Sequence, residues 1–545
     1  MNKEERIILS DLLFPDVKLG VLDYANLYPK RNLKDGAMVT RMGPSPTGFV
    51  HLGNLFGAFI DKSFARQSGG VFYLRIEDTD SKRAVLDGVS NIINDLESFG
   101  FTPDEGETYG GEYGPYKQSS RNDIYHAFIK HLLVEGLCYP CFMTSEEISA
   151  IREEQEINKG KIGVYGHYAV DRDLSLEEVK AKLDSGLEWV IRIRANIKNL
   201  ESVTFTDCVL GDITFPVNDI DHVLLKKDKT PVYHFAHVID DYLMGTTHVI
   251  RGGEWLSSTP LHLQLFDYFN LDAPKYCHHA TLNKKDNGVV RKLSKRHDPE
   301  VKVSYYKELG IPIDAVHLYL ATLMNTNFEE WYLANPSKGI EDFEFSFAKM
   351  SSSGALFDLD KLTNICKTYF AYKTGEEVFL EGLEYYKKYD SEYALLMEEN
   401  KDVLIGLMNV EKNTARVRKD IAKYSDIKLE YYYGIDSLFD EYAFKDLDKE
   451  YNTDLLLEYI NCINLDCSNE EWFASTKEFA VNNGYASSPK EYKNSPDEFI
   501  GHVGDFCEGV RVMCVGKKQS PDLFSIMKVL GKDVILDRVN KYINR

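Results

Sequence analysis

The sequence predicts an α/β fold on a parallel sheet, interrupted by an inserted domain and followed by an α-helical region. Three observations predict it. Short β-rich runs alternate with helical segments from Ala37 onward, a long charged stretch splits that alternation between about residues 112 and 220, and past about residue 350 strand-like runs give way to helical spacing. At 545 residues the chain is too long for one compact core, and the usual length per domain suggests about three or four units. Hydrophobic residues make up 43% and charged ones 28%, the balance of a folded chain with material for several cores.

Residues 1 to about 36 read as a short helical extension, closed by "YPKRNLKDG", whose proline and glycine punctuate an entry into strand. Acids stand among its apolar positions and it lacks a basic start, so neither a secretory signal nor a matrix-targeting peptide fits. No window has the length and apolarity of a membrane span. "AMVTRM" reads as the first strand and "LFGAFIDKSFARQS" as its crossover helix. "GGVFYLRIED" (Gly69 to Asp78), "EWVIRIRA" and "TTHVIRGG" are further strands, and "TPLHLQLFDYFN" is a second crossover helix. In the C-terminal third, "LFDLDKLTNICKTYFAYK" and "DVLIGLMNVEKNTARVRKDIAKY" carry helical spacing.

A net charge of −22 excludes diffuse attraction to nucleic acid, because that needs a positive field. A polyanionic partner would have to be held by a local basic patch. The nine cysteines are scattered, with one close CxxC (Cys138, Cys141), which points to free thiols in a reducing compartment and hence to the cytoplasm.

Two motifs carry chemistry. In "TRMGPSPTGFVHLGN", Thr40 to Asn54, a strand runs into a loop whose prolines fix the backbone and whose glycines permit close approach; His51 and Gly53 then open a helix. Free N–H groups and a partial positive charge at a helix start suit phosphate, and a histidine there can donate to phosphoryl oxygens. His51 serves equally as a plain helix cap. Downstream, "VVRKLSKRHD" sets Lys292, Ser294, Lys295 and Arg296 in a polar basic loop able to balance charge on a departing pyrophosphate. A solvated basic turn is the commoner meaning of such a run, but the two motifs in this order are harder to dismiss than either one.

Together with "LRIEDTD", "YHFAHVIDDYLMGTTHVIRGGEWLSSTP" and "SSSGALFDLDKL", these segments resemble class I aminoacyl-tRNA synthetases of the glutamyl type, the first motif standing for the HIGH signature and "KLSKR" for the KMSKS signature. The resemblance covers nearly the whole chain. It implies a Rossmann-type catalytic domain (37–111 and 221–285) behind the N-terminal extension (1–36), an inserted acceptor-binding domain (112–220), a KMSKS-type loop with a stem-contact domain (286–355), and helical anticodon-binding domains (356–545). The implied activity is ATP-dependent conversion of L-glutamate to an adenylate and its transfer to tRNA(Glu). A monomer is expected, with Mg²⁺ on the nucleotide and no membrane partner.

Carried over by position, Arg41, Gly43, Ser45, Glu77, Tyr233, His237 and Arg251 match glutamate-pocket residues. An acidic amino acid has two carboxylates and one ammonium, which suits two arginines and a glutamate. His51, Gly53, Glu254, Leu282, Lys292, Leu293, Ser294, Lys295 and Arg296 match the ATP side, with His51, Lys292 and Lys295 as the catalytic set. Lys412, Arg416, Arg418, Lys419 and Arg511 are candidates for tRNA backbone contact. The sequence departs from the family at His237, where some relatives have asparagine, and at "RMG", where relatives often read R-F-A. Some relatives bind zinc in the inserted domain; here Met143 and the thiol-free "VYGHYAVDR" leave the ligand set incomplete, so no structural zinc is expected. Alternatives are a glutaminyl-tRNA synthetase, whose loop usually reads P-E-P-N-G rather than "PSPTG", and a non-catalytic tRNA-binding paralogue, whose phosphate site would be damaged.

Overall fold

The structure, a computed structural model, describes every residue except 81–84, 287, 295, 296, 353, 413, 415, 416, 446, 448 and 545. The chain forms two compact units, Met1–Val303 with Leu320–Phe357, and Ser304–Tyr319 with Asp358–Arg545.

The first unit opens with helices α1 (Lys3–Leu13) and α2 (Val21–Leu27). Leu9, Leu13 and Phe14 bury against Tyr125, Phe128 and Leu132 of a later helix, so the extension is docked rather than free. Strand β1 (Val39–Met42) is followed by α3 (Leu52–Ser68) and β2 (Val71–Leu74), which pairs with β1 in parallel from Val39↔Val71 to Met42↔Leu74. Helix α3 is amphipathic in the expected sense, burying Leu55, Phe56, Phe59, Ile60 and Phe64, and Gly69 ends it in the left-handed conformation at φ 67°.

Helices α4 (Gly88–Ser98) and α5 (Asn122–Glu135) come next. Strand β3 (Cys138–Cys141), helices α6 (Ser145–Ile157) and α7 (Leu176–Asp184), strand β4 (Val190–Ile193), the β5 (Ser202–Asp207) and β6 (Gly211–Pro216) hairpin, and β7 (Val223–Leu225) follow in order. "EWVIRIRA" is therefore the central strand of an antiparallel β3-β4-β7 sheet, not part of the parallel one. Period and composition do not reveal strand direction.

The parallel arrangement resumes with α8 (Tyr233–Leu243), β8 (His248–Gly252), α9 (Thr259–Tyr268) and β9 (Lys275–His279), β8 and β9 pairing from His248↔Lys275 to Gly252↔His279. β8 lies beside β1, where Thr247 N–H donates to the Val39 carbonyl at 3.0 Å. An antiparallel pair, β10 (Leu282–Asp286) and β11 (Val289–Lys292), closes the series, and β12 (Ala355–Phe357) adds to β10 in parallel. Lys292 thus ends a strand rather than sitting in a loop; the β-branched Val289 and Val290 favour the ladder.

The second unit is mostly helical around an aromatic-rich core that includes Phe370, Tyr386, Tyr393, Trp472, Phe506 and Met513. "LFDLDKLTNICKTYFAYK" forms the helix Leu359–Tyr372, as its spacing predicts. The longer run does not hold as one helix. It stops at Met408, Glu411 turns to φ 60°, and the described residues 417–421 have no regular structure. Ile421 is buried there and Arg418 lies over the Tyr431 ring, so tertiary contacts override local helix propensity.

Candidate active site

A cavity of about 680 Å³ opens at the carboxyl ends of β1, β2, β8 and β9, the edge where open α/β sheets bind ligands. Its wall is drawn from the strand ends and the segments that follow: Gly43 to Ser45 after β1, Glu77 after β2, Gly252 at the end of β8 with Glu254 beyond it, and Thr281 and Leu282 after β9. His51 and Gly53 enter from the start of α3, Tyr233 from α8, and Lys292 and Leu293 from β11 and the residue beyond it.

One end is a buried charge network. Arg75, fully buried, donates from Nη1 to Asp241 at 2.6 Å and from Nη2 to Glu77 at 2.9 Å. Arg41 Nε lies 3.4 Å from the same Asp241, and Arg121 Nε donates to Asp240 at 2.7 Å. Burial alone would push Asp241 up; Arg75 and Arg41 outweigh it and hold this carboxyl below its ordinary range. Gly43 has a steric reason to be glycine. A Cβ there would stand 2.4 Å from Glu77 Oε1, and Glu77 is tied to Arg75 and cannot swing aside cheaply. The "RMG" variation therefore makes room for the acid.

Arg251 is held differently. Its Nε donates to His278 Nε2 at 2.9 Å, Nη2 to Thr259 Oγ1 at 2.8 Å and Nη1 to Tyr233 Oη at 3.4 Å, while His262 Nδ1 lies 3.2 Å from Nη1. None of these partners is a carboxylate, and none lies within ion-pair distance of Arg251 among the described residues. His237 does not join the wall. It is fully buried behind Tyr233, with Nδ1 3.1 Å from Asp241 Oδ2, and burial, then the nearby Arg41 and Arg251, keep its imidazole well below its usual range and neutral. An i to i+4 step on α8 turns it to Asp241 instead of the cavity.

The other end is open. His51 caps α3 through Nδ1, which accepts from Asn54 N–H at 3.2 Å. A neutral ring that accepts at Nδ1 carries its proton on Nε2. Gly53 leaves the ring space: a Cβ would sit 3.1 Å from two of its atoms. Lys292 Nζ donates to Glu254 Oε1 at 3.1 Å, with the lysine side chain 63% exposed. Leu282 and Leu293 form an apolar part of the wall. Ser45 is exposed on the rim, and Ser294 lies off the wall, its N–H donating to Asp298 at 2.8 Å. Lys295 and Arg296 lie outside the described residues.

Residues 37–364 match the family model for the catalytic domain of class I tRNA synthetases (E and Q), and residues 493–543 match that of an anticodon binding domain. The chain is 45% identical over 540 residues to the glutamate–tRNA ligase of Acetivibrio thermocellus, covering 98% of this chain and 99% of that one. The chain belongs to the class I glutamate–tRNA ligases. The ligase of Clostridium perfringens strain SM101 is 43% identical, again over 98% of this chain and 99% of that one. Among solved structures, the glutamate–tRNA synthetase of Elizabethkingia anophelis superposes with a TM-score of 0.73 at 28% identity, over 93% of this chain and 100% of that one. A glutamate–tRNA ligase from Elizabethkingia meningosepticum, crystallised with its amino acid, gives the same score and identity over 93% and 99%. Enzymes of this class use ATP.

The ligase's C-terminal candidates separate. Lys412 turns inward to the Phe370 carbonyl, and burial lowers its ammonium to about 8. Arg418 is largely buried, paired with Asp420 and donating to Tyr431 Oη at 3.1 Å. These two are structural cations rather than surface ones. Lys419 is exposed, its Nζ donating to Thr368 Oγ1 at 3.0 Å. Arg511 lines a second cavity of about 360 Å³ with Trp472, Phe473 and Cys507. Arg416 lies outside the described residues. Sequence reasoning also passed over Arg75, Asp241, Thr259, His262 and His278. Their partners lie far along the chain, so no local spacing marks them.

Proposed function

We propose that this cavity activates L-glutamate with ATP and that the chain passes the glutamyl group to the 3′ end of tRNA(Glu). The observation that carries the assignment of residues is the convergence of both motif segments on one cavity whose buried end holds a cation without a counter-ion. In this reading Arg251 takes one carboxylate of glutamate, Arg41 lies beside the other, and Glu77 faces the ammonium. The α-carboxylate attacks the α-phosphorus, the bond to pyrophosphate breaks, and the adenylate forms; the terminal ribose hydroxyl of tRNA then attacks the acyl carbon and releases AMP. His51 Nε2–H donates to phosphoryl oxygen, while Lys292 and Lys295 answer the charge that gathers on pyrophosphate. Mg²⁺ on the nucleotide neutralises phosphate charge when bound. Entry of the triphosphate exchanges the Lys292–Glu254 pair for a Lys292–phosphate pair.

Buried Cys138 and Cys141 fit packing roles: Cys141 Sγ accepts from Arg192 Nε at 3.4 Å, and burial pushes both thiols up. We therefore expect no stoichiometric zinc, and metal analysis finding nearly one zinc per chain overturns this. The enzyme works as a cytoplasmic monomer in this reading. The deciding test offers glutamate and glutamine, each with tRNA(Glu) and tRNA(Gln), to the purified chain: glutamate joined to tRNA(Glu) is expected, and preferential joining of glutamine refutes the assignment.

A further inference from the structure

The grip on Arg251 has a single consistent proton arrangement. An arginine only donates, so His278 must accept at Nε2 and carry its proton on Nδ1, which points at Asp207 Oδ2 2.7 Å away. By the same rule His262 accepts at Nδ1 and donates from Nε2 to His234 Nδ1 at 2.9 Å. Thr259 Oγ1 accepts from Nη2, and the second Nη2 proton has no partner among the described residues, although Arg251 lines the cavity. Arg41, Arg75 and Arg121 offer the contrast, since Glu77, Asp240 and Asp241 answer all three.

We propose that His262, His278 and Thr259 are positioning residues that set the pocket's selectivity: neutral acceptors alone fix the guanidinium of Arg251, leaving its charge for a ligand carboxylate to neutralise. This rests on reading the cavity as the glutamate site. Burial, chiefly, holds both histidines below their usual range and so uncharged. A carboxylate in the cage would satisfy Arg251 from within. Glutamate would then bring a second negative charge to a neutralised site, whereas the amide of glutamine would not, so the identity of the cage sets the sign of the preference.

Thr259 is the cleanest place to test this, because asparagine and aspartate there differ in charge and hardly in shape. In the full-length enzyme with tRNA(Glu), T259N is expected to keep the wild-type ratio of kcat/KM for glutamate over glutamine within about threefold. T259D is expected to lower kcat/KM for glutamate by about 100-fold or more, mainly through KM, and to shrink the ratio by a similar factor. A merely structural role would slow both substrates together and leave the ratio alone, so equal ratios in T259N and T259D overturn the proposal. If circular dichroism shows that T259D does not fold, H262Q against H262E makes the same comparison with the same two outcomes. Wild-type enzyme that fails to charge glutamate breaks the reading of the site, whereas charging wild type with matching Asn and Asp variants breaks only the positioning role.

Discussion

The two ends of the cavity are built on opposite principles. At the buried end, proposed to take the amino acid, Arg41, Arg75 and Arg251 are each fixed by named partners. At the open end, proposed to take the nucleotide, Lys292 and Glu254 are half open to solvent and paired only with each other among the described residues, and Ser45 stands on the rim. The difference follows from the two recognition problems. Telling a carboxylate from an amide requires a dry, fixed group whose loss of a partner is costly, whereas a triphosphate needs cations that can grip a charge as it forms and release it.

Within the buried end, Arg251 and Arg75 should fail in contrasting ways. Arg251→Gln removes a cation whose neighbours are neutral, so nothing charged is orphaned. We expect kcat/KM for glutamate to fall by about 10⁴ while Tm stays within a few degrees of wild type. Arg75→Met strips Asp241 and Glu77 of their common partner and should destabilise the fold by about 3–5 kcal/mol. Denaturant unfolding and steady-state charging, run on both variants, separate the cases. An Arg251 variant that unfolds like the Arg75 one would mean that both arginines are structural.

At the open end His51 caps α3 and carries the proposed chemical role in the same ring, and His51→Asn divides the two. Asparagine is a good helix cap, so the bond to Asn54 N–H can be replaced, but the Nε2 donor is gone. ATP–pyrophosphate exchange with tRNA present should slow by about 10²–10³, or roughly 3–4 kcal/mol, with little change in glutamate KM or Tm. Exchange at the wild-type rate would leave His51 as a cap alone.

The sequence carried the site unevenly, for physical reasons. Gly43, His51, Gly53 and Lys292 were legible because phosphate chemistry needs a strand, a loop, a helix start and a basic run in short stretches of chain. Arg41, Tyr233, Glu254 and Arg251 were reachable only through resemblance. Arg75 meets Asp241 across 166 positions and Arg251 meets His278 across 27, and polar partners so far apart carry no local signature. His237 shows the reverse case, a position taken for the pocket by resemblance whose side chain α8 turns toward Asp241 and away from the cavity. The parallel strands were legible from alternation with helices, whereas the antiparallel sense of β4 lies in its partners.

The smallest expected effect concerns two lysines seven positions apart in one basic run. Lys412 points into the unit toward the Phe370 carbonyl, while Lys419 faces outward beside Thr368. If phosphate contact in this run falls to surface cations, Lys419→Ala should weaken tRNA(Glu) binding a few-fold and lower the salt dependence of binding by about one ion, whereas Lys412→Met should do neither. Lys412 should appear in stability instead. Its ammonium is lowered to about 8 in the fold, against about 10.4 in an unfolded chain, so between those values the unfolded state binds the extra proton and stability rises with pH. Below pH 8 both states are protonated, and the cost of burying the charge is carried in full. Unfolding measured from pH 7 to 10.5 should therefore show wild type gaining on Lys412→Met as pH climbs. Parallel pH profiles, or a loss of tRNA affinity in Lys412→Met equal to that in Lys419→Ala, would return Lys412 to the surface set and erase the distinction.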